Sequence, residues 1–177
     1  SQGGAVTVTD NGGAILTTAG DGIFASSTGG AGNVTVIATK DGSIKTSGGG
    51  DEGVSVTTNG TGNLVIDLNG AGNDKTVNVT AGDDGLRAIH TGVAGSITIE
   101  TNGTITTGDD GIRAAIKNAA NGSDVTITSN NVIDAGDEGI QADTVGNGNV
   151  LVTTGAGGAI TGKAQNGIQA STTGLGS

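Results

Sequence analysis

The 177-residue chain has no cysteine, proline, methionine, tryptophan or tyrosine, and its only aromatic residue is Phe24. Without cysteine there is no disulfide framework and no thiolate-ligated metal site. Without proline or a three-residue glycine period, collagen is excluded. The lack of large rings argues against an ordinary globular core, which relies on aromatic side chains for buried area. Basic residues are scarce too: 7 Lys and Arg face 17 Asp and Glu, for a formal net charge of −10. Such a surface repels phosphate backbones, and no basic patch reverses it, so nucleic acid is not an expected partner. No run approaches the ~20 apolar residues of a membrane helix. No signal peptide opens the chain, and this segment is not expected to insert into a membrane. The abrupt start at Ser1-Gln2-Gly3 and the end at Gly176-Ser177 read as a fragment of something longer. Its length suits one domain over residues 1–177.

What is present is β-forming. The apolar residues are mostly Val, Ile and Ala interspersed with Thr, and β-branched side chains pack well on a pleated surface. Glycine, at 37 residues, opposes helix interiors. It falls at turn-like places such as Asn11-Gly12, Asp41-Gly42, Asn59-Gly60 and Asn102-Gly103. Between them apolar residues alternate strictly and charged residues are only 14%, which sets the chain apart from a disordered low-complexity segment.

One tetrapeptide recurs: Gly20-Asp21-Gly22-Ile23, Asp51-Glu52-Gly53-Val54, Asp83-Asp84-Gly85-Leu86, Asp109-Asp110-Gly111-Ile112, Asp137-Glu138-Gly139-Ile140 and Gln165-Asn166-Gly167-Ile168. Its glycines are 31, 32, 26, 28 and 28 residues apart. Each unit holds three short alternating runs. The first contains pairs such as Ile23/Ala25 and Ile112/Ala114, the second Val34/Val36 and Ile97/Ile99, and the third Ile44, Ile105 or Ile133. Residues 1–19 supply most of an earlier unit, with Val6/Val8 and Ile15 as its second and third runs. A period of two places alternate side chains on one face. Units that cannot bury that face alone share a core when stacked. The expectation is an all-β, right-handed parallel β-helix of three short strands per coil and about six coils. At ~4.8 Å per coil the rod is roughly 30 Å long. Left-handed helices favour uniform hexapeptide coils, absent here. A β-sandwich has no reason to open every third strand with the same tetrapeptide.

The pattern Gly-Asp-Asp-Gly-Ile-Arg-Ala, followed by an Asn/Ser-Val-Thr-Val-type strand and Gly-x-Ile-x-Thr, resembles the β-helical passenger segments of bacterial autotransporters and related large secreted adhesins. The resemblance covers essentially the whole chain. It implies a pectin-lyase-like superfold, export to the bacterial cell surface, display at the outer membrane, and a role in virulence as stalk or adhesive surface. The implied partners are a host surface glycan or protein, or further copies of the chain meeting through outer ladders.

Among chemical constellations the acidic pairs stand first. Asp83, Asp84, Asp109, Asp110, Asp137 and Glu138 are expected to stack along one corner with Asp21, Asp51 and Glu52. Like charges ~4 Å apart in water cost about 1 kcal/mol per pair. A line of them implies good solvation or a hard cation such as Ca²⁺, which takes carboxylate and carbonyl oxygens. The simpler reading is an Asp-Gly turn, with the side chain on nearby amides and the glycine at positive φ. Arg87 and Arg113 share a register that Gln141 and Gln169 continue, giving either a solvated polar ladder or a recognition strip for an anionic glycan or protein. Asn69 to Val77 resembles one RTX-type calcium nonapeptide, but a single copy reads better as a loop. His90 is placed on a surface loop and Phe24 at an outward position, while Thr35, Thr98 and Thr126 form an outer ladder.

The leading expectation is therefore a structural, adhesive module without catalytic residues or an obligate cofactor. The alternatives are a polysaccharide lyase or hydrolase on the same scaffold, and a calcium-stabilised secreted repeat. An active site is a single departure from a repeat, whereas the acidic motif recurs in coil after coil.

Overall fold

Each Gly-Ile-x-Ala or Asn-Val-x-Val step starts a strand because β-branched residues alternate there with polar ones, and each strand ends where glycine and Asn/Asp take over. The computed structural model describes residues 3–174, and among these every regular element is a strand. The first coil holds β1 (Val6–Asp10), β2 (Gly13–Thr17) and β3 (Ile23–Ser27). The second holds β4 (Val34–Ala38), β5 (Gly42–Thr46) and β6 (Val54–Thr58), and the third β7 (Leu64–Asp67), β8 (Val77–Ala81) and β9 (Leu86–His90). The fourth holds β10 (Ile97–Thr101), β11 (Ile105–Thr107) and β12 (Ile112–Ile116), and the fifth β13 (Val125–Ser129), β14 (Ile133–Ala135) and β15 (Ile140–Thr144). The sixth holds β16 (Val150–Thr154), β17 (Ile160–Gly162) and β18 (Ile168–Thr172).

Every third strand pairs in parallel, giving three six-stranded sheets: A (β1-β4-β7-β10-β13-β16), B (β2-β5-β8-β11-β14-β17) and C (β3-β6-β9-β12-β15-β18). The chain is a parallel β-solenoid of about six turns, as the repeat predicts. Among the described residues no helix is long and apolar enough to cross a membrane.

Register aligns the inward residues into vertical files. Sheet C stacks Ile23, Val54, Leu86, Ile112, Ile140 and Ile168, with Ala25, Val56, Ala88, Ala114, Ala142 and Ala170 two places on. Sheet B stacks Ile15, Ile44, Val79, Ile105, Ile133 and Ile160. In the middle coils these side chains are sealed from solvent. Each buried Val, Leu or Ile contributes about 1.5–3 kcal/mol relative to an exposed one.

The repeated glycines have a different reason from the positive φ expected of them. Positive φ occurs at Gly12, Gly13, Gly20, Gly29, Gly30, Gly70 and Gly95, and at none of the recurring motif glycines. Instead the motif glycine lies where its own coil, the next coil and the sheet B file converge. A Cβ on Gly85 would sit 2.5 Å from the Gly111 carbonyl oxygen and 2.6 Å from Ile105 Cγ2. Gly22, Gly53, Gly111 and Gly139 are hemmed in the same way by the next glycine carbonyl and a sheet B side chain. Gly42, read as a turn residue, begins β5.

Two other expectations resolve here. Asn69 to Val77 is the loop between β7 and β8, with positive φ at Gly70 and Asn73. His90 is not on a surface loop: it ends β9 and is fully buried. The outward Thr ladder of sheet A is interrupted by Val65, which lies between Thr35 and Thr98 in register.

Glycine packing gives a direct test. Gly85→Ala should destabilise the chain by about 1–3 kcal/mol, the usual cost of overpacking. Gly50→Ala, with open space around its Cα, should stay within about 0.5 kcal/mol. Urea melts of the two variants check this, and equal loss in both would refute the close-approach account.

Candidate functional site

The residues singled out by sequence meet on one face. Outward positions of sheet C alternate with its buried Ile and Ala files, and register stacks Phe24, Ser55, Arg87, Arg113, Gln141 and Gln169 in one column. A second column, two residues on, holds Ser26, Thr57, Ile89, Ala115, Asp143 and Ser171. Two open grooves lie on this face. One, of about 470 Å³, is lined by Arg113, Lys117, Gln141, Asp143, Gln169 and Ser171 among others. The other, of about 330 Å³, is lined by Phe24, Thr57, Asn59, Arg87, Ile89 and Thr91 among others. Together they form a shallow trough along the rod, and Phe24, 61% exposed, projects at one end of it.

The trough is mixed in character: carbons of Phe24, Ile89, Ala115, Ile116 and Val145 lie beside side chains with unspent hydrogen-bonding capacity. Arg87 is occupied: its Nε lies 3.4 Å from Glu52 and 3.8 Å from Asp84, and its Nη1 donates to Ser55 Oγ. Arg113 makes no salt bridge, and its Nε is buried with no hydrogen-bond partner among the described residues. Lys117 has no ion pair among them either, while Ser171 Oγ donates to Asp143 at 2.6 Å.

The acidic motif lies at the corner where the chain enters sheet C. Its members do stack in coil order, but not as a solvated line. Asp84, Asp110 and Glu138 are nearly sealed, Asp84 being 2% exposed. The reason lies in their hydrogen bonds. At this corner the side chain of one coil accepts the amide of the next: Glu52 N–H donates to Asp21 Oδ1, Asp110 N–H to Asp84 Oδ1, and Glu138 N–H to Asp110 Oδ1. The side chain thus bonds the neighbouring coil rather than its own turn. The same device closes the corner before sheet A, where Asn63 N–H donates to Asn33 Oδ1 and Ser96 N–H to Asn63 Oδ1.

Burial sets the protonation of this corner. Asp84 is pushed up to about 7, first by desolvation and then by the charge of Asp110. Glu52 rises to about 7 through desolvation and its contact with Asp21. Glu138 rises to about 7 through desolvation and Asp110. Desolvation also raises Asp109, against the lowering charge of Arg113. Carboxylate oxygens of Asp83, Asp84 and Asp109 lie within 4.8 Å of one another, as do those of Asp109, Asp110 and Asp137. Glu138 stands outside both groups. Three oxygens at that spacing match part of the shell of a hard cation.

His90, which sequence reasoning put at the surface, holds the far rim of the same face together. Gly92 N–H donates to its Nδ1 at 3.1 Å, so Nε2 carries the hydrogen and donates to the Gly62 carbonyl at 2.9 Å. Desolvation lowers its pKa and keeps the ring neutral. Asn121, fully buried nearby, donates from Nδ2 to the carbonyls of Gly92 and Gly95 and accepts from Ser123 N–H. The glycine-rich loop after each sheet C strand carried no periodic apolar signal. The one clue to a polar core there was a lone histidine immediately after an alternating run.

Comparison with protein-family models, curated proteins and solved structures finds no match to this chain. Fold and geometry therefore define its class, a parallel β-solenoid of about six turns.

The corner acids bind protons more tightly in the fold than in the unfolded chain, whose values lie near 3.8 for Asp and 4.5 for Glu. The stability this gives is complete below about pH 4 and is lost as pH rises towards 7. His90 acts the other way: its contribution is complete above about pH 6.5 and falls as pH drops below that. With four raised acids against one histidine, the melting temperature should be higher at pH 5 than at pH 8. Asp84→Asn keeps the acceptor for Asp110 N–H and should raise the pH 8 value and flatten the slope. A steeper slope, or a pH 8 melting temperature lowered by the change, would refute the assignment.

Proposed function

We propose that the chain is a structural and adhesive segment of a secreted, surface-displayed β-solenoid of the bacterial autotransporter type, working at the outer membrane surface through the trough on sheet C. The observation that supports this reading best is the trough itself. It spans the coils, has a floor of hydrogen-bonding side chains, and holds two cations, Arg113 and Lys117, with no ion-pair partner among the described residues in a chain of net charge −10. Such a surface suits an anionic glycan. Its open floor offers several weak hydrogen bonds from Arg113, Lys117, Gln141, Gln169 and Ser171, and Phe24 offers the one ring face on which a sugar can rest. A protein partner prefers a desolvated apolar centre with several aromatic anchors, whereas this face has a single ring, Phe24, at one end. The scaffold supports the role because its three continuous ladders hold the floor residues one coil apart.

Binding of carboxylated or sulfated glycans to the chain tests the reading. Arg113→Ala with Lys117→Ala should weaken binding about tenfold or more, and salt should weaken the parent, while the melting temperature is kept. No acidic glycan binding by the parent, or equal binding by the double variant, would refute it.

One observation favours a second property, stabilisation by Ca²⁺. The corner before sheet A makes its coil-to-coil bond with Asn33 and Asn63, so the bond needs no charge. The corner before sheet C nevertheless gathers carboxylates in threes. If Ca²⁺ offsets that repulsion, adding it at pH 8 should raise the melting temperature, with little effect at pH 5 where the acids hold protons. An unchanged melt with Ca²⁺ or chelator at pH 8 would rule it out.

A further inference from the structure

The groove that sheet C floors between the fourth and sixth coils holds charges of both signs that do not pair with one another. Arg113, Ala115 and Lys117 follow one another on the outer side of one strand, β12 and the residue after it. At ~3.3 Å per residue the Cα atoms of the two cations stand about 13 Å apart, with Ala115 between them. Parallel register sets Asp143 over Ala115 one coil on, and Ser171 over Asp143. A carboxylate is thus placed midway between two cations, ~4.8 Å of ladder to one side of the line that joins them. All of these residues line the same groove. Neither Arg113 nor Lys117 has a carboxylate oxygen at ion-pair distance among the described residues. Asp143 accepts the Ser171 hydroxyl at 2.6 Å through Oδ1 and likewise pairs with no cation among them.

Resting on the reading of this face as a surface for anionic glycans, we propose that the groove selects glycans carrying a protonated amine between two carboxylates, and that Asp143 sets this preference. Arg113 and Lys117 receive the carboxylates and Asp143 receives the amine, so the ligand's order of charges is the reverse of the groove's.

A polymer bearing anions alone meets Asp143 as a like charge, in a chain that is already acidic overall. The central carboxylate therefore turns a general anion-binding groove into one that reads the sign of the middle substituent. Ser171 steadies Asp143 through one oxygen and leaves Oδ2 for the ligand. Gln141 and Gln169, which can donate or accept, line the same groove without favouring either charge. A polymer of alternating hexuronic acid and hexosamine with free amines has the required order, carboxylate, ammonium, carboxylate. N-acetylation of its hexosamines removes the central charge and keeps the rest.

Binding of such a polymer at pH 6, in its N-acetylated form and after N-deacetylation, tests this. The free-amine form should bind the parent about fivefold more tightly, the factor for one charge contact at ~4 Å in water. Asp143→Asn keeps the acceptor for Ser171 and should abolish that preference. Glu100→Gln, which removes one outward charge from sheet A, should leave it. Tighter binding of the N-acetylated form, a preference that survives Asp143→Asn, or its equal loss with Glu100→Gln would overturn the proposal and leave the anionic-glycan reading standing. Binding of neither form would remove that reading and the proposal with it. An extended Glu-Lys-Glu peptide that binds more tightly than the free-amine polymer would assign the same charge order to a protein partner and overturn the glycan class.

Discussion

In this molecule every residue has its own counterpart as its nearest non-local neighbour, one parallel ladder spacing away. That constraint governs the rest of the structure. An inward residue is tolerated only if it can lie on top of a residue of similar shape, coil after coil. Ile on Ile and Ala on Ala satisfy it by interdigitating at core density. Glycine on glycine satisfies it where two coils and a sheet B side chain meet with no room for a Cβ. The Gly85 site shows how tight this is, with the Gly111 carbonyl and Ile105 both inside normal contact distance of any added carbon.

The same rule makes the acidic corner an electrostatic anomaly. An Asn or Asp oxygen is needed there to receive an amide from the next coil, because the backbone ladder is interrupted as the chain turns. Asn33 and Asn63 do this at the sheet A corner without charge, and Asn166 stands in the matching place at the end of the sheet C corner. Asp84, Asp110 and Glu138 perform it with ionisable groups under almost no solvent, so each raises the proton affinity of its neighbours. Arg87 offsets part of this through Glu52 and Asp84. Arg113 acts only at longer range, lowering Asp84 and Asp109 without direct contact, and its Nε stays buried without a partner. The acids and the Arg87–Arg113 column are thus one electrostatic unit, not two adjacent features.

The files, the coil count and the Arg87–Arg113–Gln141–Gln169 column were legible in the sequence because a two-residue period fixes which face each side chain takes, and a recurring tetrapeptide fixes the register. Phe24 was legible as outward for the same reason. What escaped was everything decided between coils at the corners. The burial of Asp84 and the role of Gly85 depend on how closely two turns approach, and alternation carries no record of that distance. His90 escaped because the inward period was taken to stop at the last apolar residue. In fact it runs two places past Ala88, through Ile89 on the outer face, and delivers the imidazole into the core, where Gly62 and Gly92 satisfy it.

The two faces of each strand are under different constraints. Inward positions are bound by the stacking rule and have little freedom. Outward positions need only tolerate their vertical neighbours, so Phe24, Ser55, Arg87, Arg113, Gln141 and Gln169 can follow one another in a single column without disturbing the core. A linear ligand laid along the axis meets one such residue per coil. Its affinity then grows by adding weak contacts over several coils instead of by perfecting one. The rigidity for that summation comes from the backbone ladders, which hold the spacing of the contacts fixed whatever side chains the outer face presents.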